Sequence, residues 1–193
     1  MNRIARFLTF FAVLALVAGL AGMATAKNRH THAQNKPAPT WKVPSALTPP
    51  GNAVFLFEYK AQGVQIYACE AKPEAPTTFA WTFKAPEAEL RNARGEVVAT
   101  HFAGPTWQGN DGGTVVAAVL ARPDAPGKKA IPWLLLEAKS HTGGGVLSTI
   151  SYIQRLDTKG GNAPASGCDA AHANAESRVP YEATYAFYYP AAS

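Results

Sequence analysis

The segment HFAGPTWQGNDGG, residues 101–113, places the titratable ring of His101, the indole of Trp107 and the carboxylate of Asp111 in one short stretch. One proline stiffens it and four glycines loosen it. Loops carried on a rigid sheet are where binding sites are usually built. An imidazole such as His101 can act near neutral pH as a general base or metal ligand, and a carboxylate such as Asp111 can orient it. A plainer reading competes at each position and is favoured. Asp111-Gly112-Gly113 is also a turn sequence, in which Asp bonds its own backbone and Gly takes up positive φ. Trp107 can equally be a core plug.

A second block is Tyr152-Ile153-Gln154-Arg155-Leu156, followed by Asp157 to Gly161. On a strand, Tyr152 and Gln154 face one way while Ile153 and Arg155 face the other. Arg155 can then make a two-pronged contact with a carboxylate or phosphate ligand, or a structural ion pair with an acid such as Glu58 or Glu70. His141 precedes Thr142-Gly143-Gly144-Gly145, whose backbone N–H groups could cradle an anion. The run has neither a P-loop ending nor dinucleotide spacing, and a hairpin turn explains it. No GxSxG elbow, HExxH or CxxC occurs, and no spacing singles out one of Ser140, Ser148, Ser151 or Ser166 for a Ser-His-Asp set. No metal site and no cofactor are expected.

The elements that must position these residues read as β throughout. Strands are expected at Ala53–Tyr59, Gly63–Glu70, Thr77–Phe83, Gly95–Phe102, Thr114–Ala121, Ile131–Lys139, Gly145–Leu156 and Tyr181–Tyr189, all rich in β-branched or aromatic residues. Lys60-Ala61-Gln62 is read as the break between the first two, and 104–113 as a turn-rich block. The nearest approaches to helix are PEAELR at 86–91 and CDAAHANA at 168–175, each about two turns long. About eight strands separated by turn signals predict an all-β, single-domain antiparallel fold, either a β-sandwich or a closed β-barrel, with the sandwich preferred.

Residues 1–26 carry Arg3 and Arg6, an uncharged apolar run over 7–22, and the small-x-small end Ala24-Thr25-Ala26, the pattern of an export signal peptide. The run is short for a membrane span, so no span is expected after cleavage, and the protein is expected in the periplasm or outside the cell. Residues 27–42 are Pro-rich and polar and read as a flexible tail, with Trp41 and Val43 as its first apolar anchors. Residues 43–193 form the domain. Without Arg3 and Arg6 the net charge falls from +5 to +3, and the basic residues are scattered, which argues against nucleic acid as partner. Cys69 and Cys168 are the only cysteines. In an oxidising compartment they read as one disulfide closing a loop of about 100 residues, although metal ligation is the alternative.

The blocks GVQIYACE (63–70), WTFKAPEAEL (81–90), THFAGPTWQGNDGG (100–113), IPWLLLEA (131–138), TISYIQRLDTKGGNAP (149–164) and RVPYEATYAFYY (178–189) resemble a family of secreted bacterial and fungal proteins known only as a domain of unknown function. The resemblance spans Val43 to Tyr189. Only Gly113 departs, where the family more often has Ser. The resemblance implies an exported domain with Cys69 and Cys168 as its usual pair, and its pattern includes His101, Trp107, Asp111, Gln154 and Arg155. It implies no reaction. A malate dehydrogenase label carried by some fungal relatives is set aside, since this chain has no βαβ unit or glycine fingerprint. The expected function is a non-catalytic binder of a small polar ligand, a sugar or carboxylate, or of a surface partner, using His101, Trp107, Gln154 and Arg155. The alternatives are a hydrolase or lyase built on His101 and Asp111, metal-assisted if need be, and a structural component of an envelope or matrix.

Overall fold

The inward positions of the strands alternate small and large residues. Ala61, Ala88, Ala99, Ala117 and Ala183 share one buried cluster with Trp107, Tyr185, Phe187, Leu136 and Ile153. Such alternation fits bulky rings into the narrow interior of a small barrel. The computed structural model describes residues 42–51, 53–123 and 129–190, so the expected signal peptide, Trp41 and all but the last residue of the expected tail lie outside it. The described residues belong to one compact unit, Asn35–Ser193.

Eight strands follow in chain order: β1 (Val54–Lys72), β2 (Ala75–Arg91), β3 (Val97–Phe102), β4 (Thr106–Gly109), β5 (Thr114–Ala121), β6 (Leu134–Thr142), β7 (Tyr152–Gly160) and β8 (Glu176–Tyr189). Each pairs antiparallel with the next, and β8 returns to β1 from Val54↔Tyr189 to Ala68↔Glu176. The all-β expectation holds, and of its two architectures the molecule takes the closed barrel rather than the preferred sandwich. The β1–β8 ladder joins what would otherwise be two exposed edges.

The strand count agrees with expectation, but two boundaries moved in opposite directions. β1 runs unbroken through Lys60-Ala61-Gln62, merging two expected strands, while β4 appears inside the block read as turns. β1 crosses β2 closely at Gly63, where a Cβ would sit 2.0 Å from the Glu87 carbonyl oxygen. A glycine inside a strand marks such a close approach. PEAELR is strand, not helix: Pro86, Ala88 and Leu90 are buried while Glu87 and Glu89 are exposed. CDAAHANA contains only a 3-10 turn at Ala170–His172, and the start of the expected strand 145–156 is a second such turn, Val146–Thr149.

That second turn closes one end of the barrel. It packs against β4, β5 and β6 and carries Leu147, which with Ile150 is fully buried in the core beside Phe57 and Tyr59. A small outer cluster of Leu47, Leu135 and Leu156, flanked by Val43, Trp133 and Tyr152, packs the segment before β1 onto the outside of β6 and β7. The disulfide Cys69–Cys168 ties β1 to the β7–β8 connection, with 99 residues of sequence separation.

Candidate functional site

The opposite end of the barrel is open, because two neighbouring strands end at different levels. β2 pairs with β3 only over Ala88–Arg91, so residues 75–87 of β2 extend beyond β3 together with the matching part of β1. This overhang carries Tyr67, Trp81, Phe83 and Lys84, and with all the other strands it lines a cavity of about 680 Å³. An eight-stranded barrel is wide enough to hold one small ligand, and the volume lies within the range of ligand pockets.

The inner wall is built by the β3–β4 hairpin. Gly104 takes φ +132°, a conformation glycine adopts without strain, and Thr106 Oγ1–H donates to the Ala103 carbonyl at 2.8 Å. This turn sets His101 directly opposite Trp107. Their rings stack at 4.2 Å and 10°, and Tyr185 of β8 stands edge-on to both, at 5.1 and 5.4 Å. His101 is 3 % exposed. Its Nδ1 lies 2.8 Å from the Thr106 carbonyl, which can only accept, so Nδ1 carries the proton and Nε2 the lone pair. Burial, with a further contribution from the nearby Arg155 charge, lowers its pKa to about 3. The ring is therefore neutral at neutral pH, and as a general base it is weak.

Arg155 faces the barrel interior and lines the cavity. Its Nε–H donates to the Pro132 carbonyl at 3.0 Å, and it forms no ion pair among the described residues. Lys84, which is paired with Glu70, and the exposed Arg122 also line the cavity. No Asp or Glu does. Around Arg155, Trp107 Nε1 is buried with no hydrogen-bond partner among the described residues, while Gln65 Nε2 and the hydroxyls of Tyr181 and Tyr185 are buried beside one another and Arg155 without reaching good hydrogen-bond geometry. Burial pushes both tyrosine pKa values up while the charge of Arg155 opposes it, so both phenols stay protonated.

The structure thus brings His101, Trp107 and Arg155 to one cavity and places Asp111 and Gln154 elsewhere. Asp111 accepts from the Gly113 N–H at 3.2 Å and the Val146 N–H at 2.7 Å, and lines a separate depression of about 240 Å³ with Tyr59 and Leu147. The group that orients His101 is the Thr106 carbonyl, not Asp111. The glycine-rich run after His141 does meet an anion through the Val146 N–H, but the anion is Asp111 itself. His141 Nε2 is taken up by the Ile150 carbonyl at 2.6 Å. Gln154 lies on the outer face, where Nε2–H donates to the Leu47 carbonyl at 2.6 Å and Oε1 accepts from Tyr188 at 2.7 Å. Burial pushes the Tyr188 pKa up to about 12, with Glu58 adding to it, which keeps the phenol a donor.

Reasoning from sequence missed Gln65, Tyr181 and Tyr185 as site residues. The signal was present in the period-two series Ala61, Gly63, Gln65, Tyr67, where one amide stands among inward apolar and aromatic positions. Among the described residues, no group of three or more His, Cys, Asp or Glu side chains could hold a metal ion, and no helix is long and apolar enough to cross a membrane.

Fold and site together define a closed eight-stranded antiparallel barrel with a cationic, aromatic cavity at one end. The chain belongs to the family described as "Protein of unknown function (DUF3455)", whose model matches residues 49–189. Comparison with curated proteins and with solved structures finds no match.

Proposed function

We propose that this protein is an exported, non-catalytic binder that holds a small polar ligand in the open end of its barrel. The observation that carries this reading is the buried polar group around Arg155, in which Trp107 Nε1 has no partner among the described residues and Gln65 Nε2 and the hydroxyls of Tyr181 and Tyr185 meet one another and Arg155 only in poor hydrogen-bond geometry. Leaving a buried donor or acceptor unsatisfied costs about 1–3 kcal/mol. A ligand supplying partners there recovers that cost while burying its remaining surface on the aromatic wall. No assembled acid–base pair accompanies these groups, since His101 is held neutral and Asp111 bonds backbone amides at another site.

The test is a thermal-shift screen of the oxidised protein against sugars, organic acids and phosphates. A ligand at 100 times its Kd adds about 2.7 kcal/mol of stability, several degrees for a domain of this size. The reading expects such a shift with one class and its loss in Trp107→Phe or Arg155→Met. A shift that survives in both variants would place the ligand outside the cavity and overturn it.

A further inference from the structure

The open cavity has a chemical polarity from inside to mouth that narrows the ligand class, provided the cavity is a ligand site at all. The inner groups are mostly donors. Trp107 Nε1, Gln65 Nε2 and the Arg155 guanidinium can only donate, the two tyrosine hydroxyls can do either, and the acceptors are His101 Nε2 and Gln65 Oε1. Their natural complement is a group rich in lone pairs and without protons of its own. A carboxylate is such a group, and Arg engages it through parallel N–H bonds. A sugar would bring one donor with each acceptor, and few acceptors face it here.

Charge points the same way. Arg155 is half-buried, and among the described residues it makes no ion pair and no carboxylate lines the cavity. His101 adds no second positive charge, because it stays neutral. One inner cation matches one negative charge.

The mouth adds open apolar surface beside two exposed cations, Lys84, paired with Glu70, and Arg122. Phe83 and Val119 line it while 49 % and 52 % exposed, with Trp81 beside them. Large apolar side chains left this open at the rim of a cavity mark an interaction site. The cavity wall also includes Ile131, Leu134, which pairs with Arg155, and Leu136.

We infer that the ligand is an amphipathic monocarboxylate that enters head first, its carboxylate on Arg155 and its apolar body along the wall to Phe83 and Val119. The indole of Trp107 and the amide of Gln65 share the head with Arg155, and the rim side chains cover the tail.

Calorimetric titration of the full oxidised protein with matched pairs tests this: decanoate and decanamide for an aliphatic body, cinnamate and cinnamamide for an aromatic one, and acetate for a head without a body. At least one acid is expected to bind roughly 10- to 100-fold tighter than its amide, the range of a charge-assisted hydrogen bond, and far tighter than acetate. Arg155→Met is expected to remove the gap between acid and amide. The wild-type comparison stands whether or not that variant folds, and Arg155→Lys, which keeps the charge but loses the fork, is expected to retain part of the gap. Equal affinity for acid and amide, or a gap that survives in Arg155→Met, overturns the inference and leaves the cavity as a ligand site. Binding of sugars in place of all the acids, lost in Trp107→Phe, does the same. If neither the acids nor any compound in the thermal screen binds, the inference and the cavity reading fall together.

Discussion

His101 shows how far residue type alone carries. An imidazole near a carboxylate in sequence suggests acid–base chemistry, yet what decides its behaviour is the stack against Trp107 and its near-complete burial. A histidine whose pKa drops from 6.5 to about 3 on folding leaves the unfolded chain binding more protons than the folded one across that interval. Stability therefore falls as pH falls through the window, by at most about 1.4 kcal/mol per pH unit from this group. His101→Gln should show a shallower decline than the wild type in denaturant melts taken between those values. Parallel profiles would mean that the ring is not held neutral. The identities of His101, Trp107 and Arg155 were legible in the sequence, and so, from the period of two, was the opposite facing of Gln154 and Arg155, but not which of the two points inward. Their meeting was not, because it depends on β3–β4 register and on β8 arriving from the far end of the chain. Gln154 was legible as a special residue but not in its role, since its partner Leu47 lies in a segment with no periodic signal.

The elements around Asp111 form a brace, not a reaction centre. Its carboxylate joins the β4–β5 hairpin to the 3-10 turn Val146–Thr149, which lays Leu147 over the closed end of the barrel. Asp111→Ala removes an acceptor from two backbone N–H groups and should destabilise the fold by about 1–3 kcal/mol, with ligand affinity unchanged. Loss of binding or of any turnover at unaltered stability would return Asp111 to chemistry. The turn reading of Asp111-Gly112-Gly113 fits this geometry. Strand content was legible from β-branched and aromatic composition, whereas the limits of single strands were not. Lys60-Ala61-Gln62 looks like a connection because two of its three residues are polar, but the long β1 has ladders on both sides there. PEAELR has helix-forming residues, and its strict apolar–polar alternation was the better guide.

At the scale of the whole molecule, the closing ladder between β1 and β8 creates the cavity. Closure was the part of the fold least legible in the sequence, since a sandwich and a barrel share the same alternation and turn spacing and differ only in whether the terminal strands find one another. The disulfide was legible from two cysteines in a chain expected to be exported, and it fastens β1 to the connection leading into β8. The open end follows from the overhang of β2 past β3, a difference in strand length that no local pattern announces. The central claim is that a ligand occupies this end, against Trp107. It is tested most directly by following the tryptophan indole N–H signals in a proton–nitrogen correlation spectrum while decanoate is added. Trp107 lies in the cavity, whereas Trp133 packs against the outer cluster and serves as an internal control. The Trp107 signal should move and saturate with the Kd measured by calorimetry while that of Trp133 stays in place. Movement of Trp133 with Trp107 unchanged would put the ligand on the outside of the barrel and contradict the account.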